Sequence, residues 1–202
     1  MNLLEINLDS YIPEGIKRLD YYLFSKINGQ WHTSFFDWFI PFIRESYIWI
    51  PFYFFLILFA TINFKKRGWY WVLFFLINVT ISDVVSSRFI KGSLFRFRPC
   101  HDPVLVDKVR FLVSYCGTNS SFTSSHAVNH FAAAMFIFTT FKNAVSPKWA
   151  YLFLWAFFIS YAQVYVGVHF PLDIFCGALV GLLLGYIPAK IFNTKIGLKI
   201  RN

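Results

Sequence analysis

The chain has 202 residues, of which 57% are hydrophobic, 22% aromatic and only 14% charged, against about 25% charged in an ordinary soluble domain. This excludes disorder, whose signature is low hydrophobicity with high charge, and leaves too little polar surface to coat a soluble domain of this size. The net charge of +9 does not indicate a nucleic-acid partner, because the Lys and Arg are scattered between apolar stretches rather than striped along one face.

An integral membrane protein remains. Residues 1–10 lack a basic start followed by an apolar core, so no signal peptide is expected. Residues 1–45 are aromatic-rich but broken by charge, as in Leu19-Asp20-Tyr21-Tyr22-Leu23-Phe24 and Phe35-Phe36-Asp37-Trp38-Phe39-Ile40. This pattern reads as amphipathic helices lying in the interface, with Trp and Tyr at headgroup level. A sixth span between Asp20 and Arg44 is the alternative.

Apolar stretches follow at 46–64, 69–87 (broken by Asp83), 127–141, 149–168 and 174–189. Each equals or approaches the ~20 residues that cross a hydrocarbon core. Uninterrupted apolar runs lack the alternation of membrane barrel strands, so in lipid they must be helices. The expected fold is an all-α integral membrane protein, a bundle of five transmembrane helices with N-terminal interfacial amphipathic helices. Residues 1–45 are the interfacial part, 46–193 the transmembrane domain and 194–202 a basic tail.

With five spans, Lys65, Lys66, Arg67, Lys142, Lys148, Lys190, Lys195, Lys199 and Arg201 share one face that carries no acid. That face is assigned to the cytoplasm. The long 88–125 loop then lies on the other side, and chemistry-bearing residues converge there.

Lys91 and Arg98 close the second span, and the Arg fork suits phosphate oxygens. Thr123-Ser124-Ser125-His126 opens the third span, where free backbone N–H groups and the helix dipole favour an anion. His169-Phe170-Pro171-Leu172-Asp173 opens the fifth; the spacing of four lets Asp173 fix the His169 tautomer. Singly, these residues read as headgroup anchors, a helix cap and a His bonded to a loop carbonyl. Together on one membrane face, where ionisable groups are costly, they read as a phosphoryl-transfer site.

Lys91, six residues, Arg98-Pro99; then Ser124-Ser125-His126; then His169, three residues, Asp173: this order resembles the type-2 phosphatidic acid phosphatase superfamily. These are membrane lipid phosphatases related to the vanadium haloperoxidases. The resemblance covers residues 46–190, and Val166-Gly167-Val168-His169-Phe170-Pro171-Leu172-Asp173 is especially typical. It implies that His169 is the nucleophile, oriented by Asp173 and forming a phosphohistidine, with His126 as general acid. It also implies that Lys91, Arg98, Ser124 and the backbone near Ser125 hold the phosphoryl oxygens, with no metal or cofactor.

Two departures stand out. Thr123 and Ser125 replace the Pro and Gly of the family's Pro-Ser-Gly-His. Ala162 and Gln163 replace the Ser-Arg that opens the third motif. Losing a charged donor to phosphate costs about 1.5–3 kcal/mol. Gln163 still offers an amide donor, and Arg88 or Arg96 is expected to supply the charge. Gln163→Arg is expected to retain or raise activity.

Cys100 and Cys116 share the non-cytoplasmic loop, where an oxidising compartment permits a disulfide; two free thiols, or metal ligation with His101, are the other readings. Cys176 is expected to be unpaired. Gly177, Gly181 and Gly185 form a small-residue stripe for helix packing, and Asp83 is expected to hold a structural hydrogen bond.

The function expected is metal-independent hydrolysis of a lipid phosphate or diphosphate monoester at the periplasmic or extracellular side of a multi-pass cell (inner) membrane protein. Polyprenyl diphosphate, phosphatidylglycerophosphate, phosphatidic acid and lipid A are the candidate substrates, entering sideways from the bilayer. A lipid phosphotransferase and a catalytically silent lipid-phosphate binder are the rival readings.

Overall fold

The computed structural model describes residues 6–198; Lys199 and Arg201 of the expected basic tail lie outside the described residues. The chain is built from α1 (Glu14–Phe24), α2 (Ser34–Ile43), α3 (Ile50–Phe64), α4 (Lys66–Val84), the short turn α5 (Lys91–Ser93), α6 (Ser125–Phe141), α7 (Leu152–Tyr165) and α8 (Pro171–Lys195). Wide helical turns at Ser25–Gln30 and Val85–Ile90 extend α1 and α4. A parallel pair joins β1 (Ile6–Asn7) to β2 (Leu94–Phe95).

Among the described residues, three helical stretches are long and apolar enough to cross a membrane: Ser46–Phe64, Lys66–Ser93 and Pro171–Lys195. α6 has 17 residues and α7 has 14, the latter preceded by the tight turn Pro147–Tyr151. α1 and α2 have 11 and 10 residues. At about 1.5 Å per residue, neither covers a ~30 Å hydrocarbon core.

The tightest contact in the bundle is between α6 and α8. Its cause is the glycine stripe: a Cβ at Gly181 or Gly185 would strike the Val128 or Ala132 carbonyl. Only glycine lets the two backbones approach this closely. The pairing brings the N-termini of α6 and α8 together, and the Ser124 N–H donates to the Asp173 carbonyl at 3.3 Å.

Two apolar clusters bracket these helix ends. One gathers Leu56, Phe64, Trp71, Phe75, Phe136, Phe141 and Phe192. The buried Trp71 indole donates to Thr140 Oγ1 at 2.8 Å and stacks on Phe141 at 4.8 Å. Asp83 accepts from Asn129 at 3.0 Å, the structural bond expected of it, and ties α4 to α6.

The second cluster binds the N-terminal segment to the helix ends through Phe24, Ile27, Ile40, Leu105, Tyr165 and Phe170. Polar contacts anchor it further. Asp37 accepts from Arg110 Nη2 at 2.5 Å and from the Tyr165 hydroxyl at 2.6 Å. Those hydrogen bonds, Arg110 first, hold its carboxyl below the usual carboxylate range. Asn28 donates to the carbonyls of Arg110 and Tyr165, both at 2.8 Å. These contacts dock the N-terminal segment on the ends of α7 and α8 and on the loop before α6.

Candidate active site

The site is assembled where the loop between α5 and α6 crosses the N-termini of α6 and α8. His169 sits on the turn between α7 and α8, outside both helices. Gly167, at φ +86°, allows that turn; a side chain there would meet Val109 and the Arg110 carbonyl. The Gln163 carbonyl accepts from the backbone N–H groups of Val168 and His169 at 3.1 and 3.2 Å, which sets the ring's position.

The two nitrogens of His169 have different surroundings. Nδ1 lies 3.2 Å from Ser121 Oγ and 3.5 Å from Asp173 Oδ2. The Ser121 hydroxyl in turn donates to Asp173 Oδ2 at 2.5 Å. Nε2 faces Arg98 Nη1 at 3.4 Å. Burial first, then the charges of Arg98 and Lys91, push the imidazole down to about 3 against the pull of Asp173. It is neutral at physiological pH, the form a nucleophile requires.

Behind Asp173 lies a buried charge cage. Arg96 is completely enclosed and donates to Asp173 Oδ1 at 2.7 Å, Asp20 Oδ2 at 2.5 Å and Asp9 Oδ1 at 3.1 Å. Its guanidinium lies 4.2 Å from the Phe170 ring centroid. Burial alone would lower its pKa; the carboxylates of Asp173 and Asp20 outweigh this and hold it above the ordinary value. Asp20 also accepts from the Leu172 N–H at 2.7 Å, and Asp173 accepts from the Phe170 N–H at 2.9 Å, capping the start of α8.

In front of His169 a cavity of about 410 Å³ opens, lined by Arg44, Lys91, Arg98, Asn119, Ser125, His126, Gln163 and His169, among others. Lys91 Nζ is buried and donates to the Ser120 carbonyl at 2.9 Å. Arg98 donates to Asn119 Oδ1 at 2.7 Å and to the Val168 carbonyl at 3.2 Å. These two cations face the cavity with neutral partners only, among the described residues.

Seven of the residues singled out from sequence thus meet here: Lys91, Arg98, Ser125, His126, Gln163 and His169 on the cavity wall, with Asp173 behind His169. Ser124 is different. It is fully buried, and its hydroxyl caps α6 by accepting from the Ala127 N–H at 3.5 Å. Cys100 and Cys116 are joined in a disulfide that closes the loop next to Arg98, and Cys176 is free.

The charge expected from Arg88 or Arg96 beside Gln163 comes from neither. Arg88 is exposed and outside the cavity lining, and Arg96 is consumed by its carboxylates. Arg44, at the end of α2, occupies that place: its Nη2 and Nε donate to Gln163 Oε1 at 3.2 and 3.3 Å. An arginine at position 163 would therefore meet Arg44 as a like charge. Sequence reasoning also missed Ser121 and the Arg96–Asp20 pair, whose partners lie too far away in sequence for any local spacing to mark them.

The pattern described as the PAP2 superfamily matches residues 71–196. The chain belongs to the PAP2 superfamily. Among PAP2 relatives, the lipid A 4'-phosphatase of Porphyromonas gingivalis is 33% identical over 189 residues, 89% of this chain and 75% of that protein. The lipid A 4'-phosphatase of Bacteroides thetaiotaomicron is 29% identical over 178 residues, 86% and 77% of the two chains. The crystal structure of Aquifex aeolicus LpxE superimposes with a TM-score of 0.59 at 29% identity, covering 85% of this chain and 95% of that one. The PAP2-type phosphatidylglycerolphosphate phosphatase of Bacillus subtilis shares the fold, at TM-score 0.67 and 21% identity over 93% and 90% of the chains. Asp9, Asp20 and Arg44 lie outside the PAP2-matched segment.

Proposed function

We propose that this PAP2 chain is a membrane lipid phosphatase that cleaves a phosphate ester through a phosphohistidine at His169. The observation that carries this reading is the division of the His169 ring, with Nδ1 held on Ser121 and Asp173 and Nε2 open to a cation-lined cavity. The Nε2 lone pair attacks phosphorus, and the bond from phosphorus to the lipid oxygen breaks. His126, protonated beside the bound phosphate dianion, gives its proton to that oxygen, which leaves as an alcohol, or as a phosphate where the substrate is a diphosphate. Water then attacks the phosphohistidine and passes a proton to His126; inorganic phosphate leaves and both histidines are restored.

Phosphoryl transfer asks the protein mainly for positioning and charge stabilisation. Lys91, Arg98 and the free N–H groups at the start of α6, by Ser125, meet both needs. Ser124 acts here by fixing that helix end, and Gln163 by holding the His169 turn. In this reading the side chains and the backbone N–H groups at the start of α6 supply the chemistry, and no metal or cofactor is called on.

For the substrate, a phosphorylated glycolipid of the lipid A kind is favoured by the two relatives of that name, each matched over at least three quarters of its length. Polyprenyl diphosphate is the second reading, favoured by an undecaprenyl-diphosphatase of Sulfolobus acidocaldarius, 29% identical over 152 residues. The proposed topology has five spans, α6 and α7 crossing within the bundle beside the three longer stretches. Residues 1–45 lie at the interface, and the cavity opens on the periplasmic or extracellular side of the inner membrane. The acid-free surface at the opposite end and the disulfide beside the cavity support this orientation.

Phosphate release from a panel of lipid A, polyprenyl diphosphate, phosphatidylglycerophosphate and phosphatidic acid tests the reading, with His169→Ala as the control. Binding without release by the wild type would leave only a lipid-phosphate binder. A phosphorylated product appearing when an acceptor lipid is added would make the chain a phosphotransferase. A membrane-impermeant thiol reagent, applied after reduction, should reach Cys100 and Cys116 from the outer side.

A further inference from the structure

Arg44 has an unusual setting for a surface-helix arginine. It closes α2, its side chain is only 16% exposed, and it lines the same cavity as His126 and His169. Among the described residues its one carboxylate contact is Glu45 at 3.4 Å, on a side chain 45% exposed, a pair that water screens. On the cavity side its partner is the neutral Oε1 of Gln163, which takes two donors at 3.2 and 3.3 Å. A guanidinium has five N–H donors, so this arrangement orients the group without neutralising it.

The surroundings are rigid. Gln163 is fully buried, and its Nε2 donates to the Ile159 carbonyl at 3.2 Å, which leaves Oε1 turned toward Arg44. α2 is tied down by Asp37 on Arg110 and Tyr165. The bend after α2 is fixed by Trp49 Nε1 on the Ile43 carbonyl at 2.8 Å. A desolvated, aimed cation with no buried counter-charge is arranged to receive an anion.

We infer that Arg44 is a phosphate-binding residue of this site, carried in by α2 and aimed by Gln163. It lines the cavity together with Arg98 and supplies from the N-terminal segment a charge that α7 lacks at Gln163. The inference rests on the phosphate-site reading of the cavity. It adds a binding residue from outside the segment that the family pattern matches.

The test is calorimetric titration of the purified full chain with inorganic phosphate, run beside the lipid turnover assay. Arg44→Gln is expected to weaken phosphate binding about 10- to 150-fold, the loss of a charged hydrogen-bond donor. The swap Arg44→Gln with Gln163→Arg is expected to recover most of that loss, and Arg88→Ala to change nothing. Unchanged phosphate affinity in Arg44→Gln would overturn the inference. So would a loss that the swap fails to recover, which would make Arg44 a scaffold residue. If Arg44→Gln does not fold, the wild type carries the test: phosphate should protect Arg44 from phenylglyoxal, read by mass spectrometry, and absence of protection would overturn the inference. Arg44-dependent phosphate binding with no release from any lipid would sink the phosphatase reading and leave this inference standing.

Discussion

Arg96 and Arg98 stand two residues apart in one loop but serve opposite sides of the same histidine. Arg96 lies behind His169, sealed among Asp9, Asp20 and Asp173. Arg98 lies in front, with Asn119 and backbone carbonyls as partners. The difference is in the counter-charge. A buried cation matched by carboxylates has no free field to offer a substrate, so it holds structure. A desolvated cation with neutral partners keeps its field for an incoming anion. Residue type alone does not separate the two roles.

Substitutions in front should cost activity and leave the fold intact, whereas substitutions behind should cost the fold as well. On the proposed role of His169 as nucleophile, His169→Ala is the largest effect on the front side, and turnover is expected to fall by more than about 10⁴-fold. The thermal unfolding midpoint in detergent should hold or rise, and a collapse of that midpoint would break the contrast. Arg96→Met is the largest effect behind. It leaves buried carboxylates uncompensated and is expected to destabilise the chain by about 3–5 kcal/mol, read by denaturant unfolding.

Opening the disulfide sharpens the same line, since the loop it closes begins two residues after Arg98 and ends three before Asn119, which holds Arg98. Cys100→Ser with Cys116→Ser releases a loop of sequence separation 16, worth about 3 kcal/mol in chain entropy. The expected readouts are a lower unfolding midpoint and a raised KM. Arg98→Ala should lower kcat/KM about 10- to 150-fold with little change in unfolding.

The smallest effect is a pH slope. The folded His169 is held down to about 3, while the unfolded side chain titrates near its ordinary ~6.5. Between these values the unfolded chain binds the extra proton, so stability is full above about 6.5 and declines as pH falls toward 3. Unfolding midpoints measured from pH 8 to 4 should therefore fall, and less steeply in His169→Asn. An equal slope in both would remove His169 as the cause.

Much of this was legible before the fold. Apolar runs near 20 residues force helices in lipid, because the backbone has no other hydrogen-bond partner there. The glycine stripe at 177, 181 and 185 announced a close helix contact, since a spacing of four repeats on one helix face. His169 and Asp173 were legible for the same reason, lying four residues apart at a helix start. Ser124 illustrates the limit: a serine before a helix reads equally as a cap or as a ligand, and only the folded chain shows its hydroxyl accepting from the Ala127 N–H.

The sequence by itself determined the membrane class, the acid-free end and the residues of the three motifs. All of these are carried by composition or by spacings within a few residues. Only the tertiary structure decided which cation does what. Arg44 meets Gln163 across 119 residues, Arg96 meets Asp9 across 87, and Ser121 reaches Asp173 across 52. Helical periodicity fixes neighbours three or four residues apart and carries no information at such distances. The burial and counter-charge that separate a structural arginine from a binding one exist only once the helices have packed.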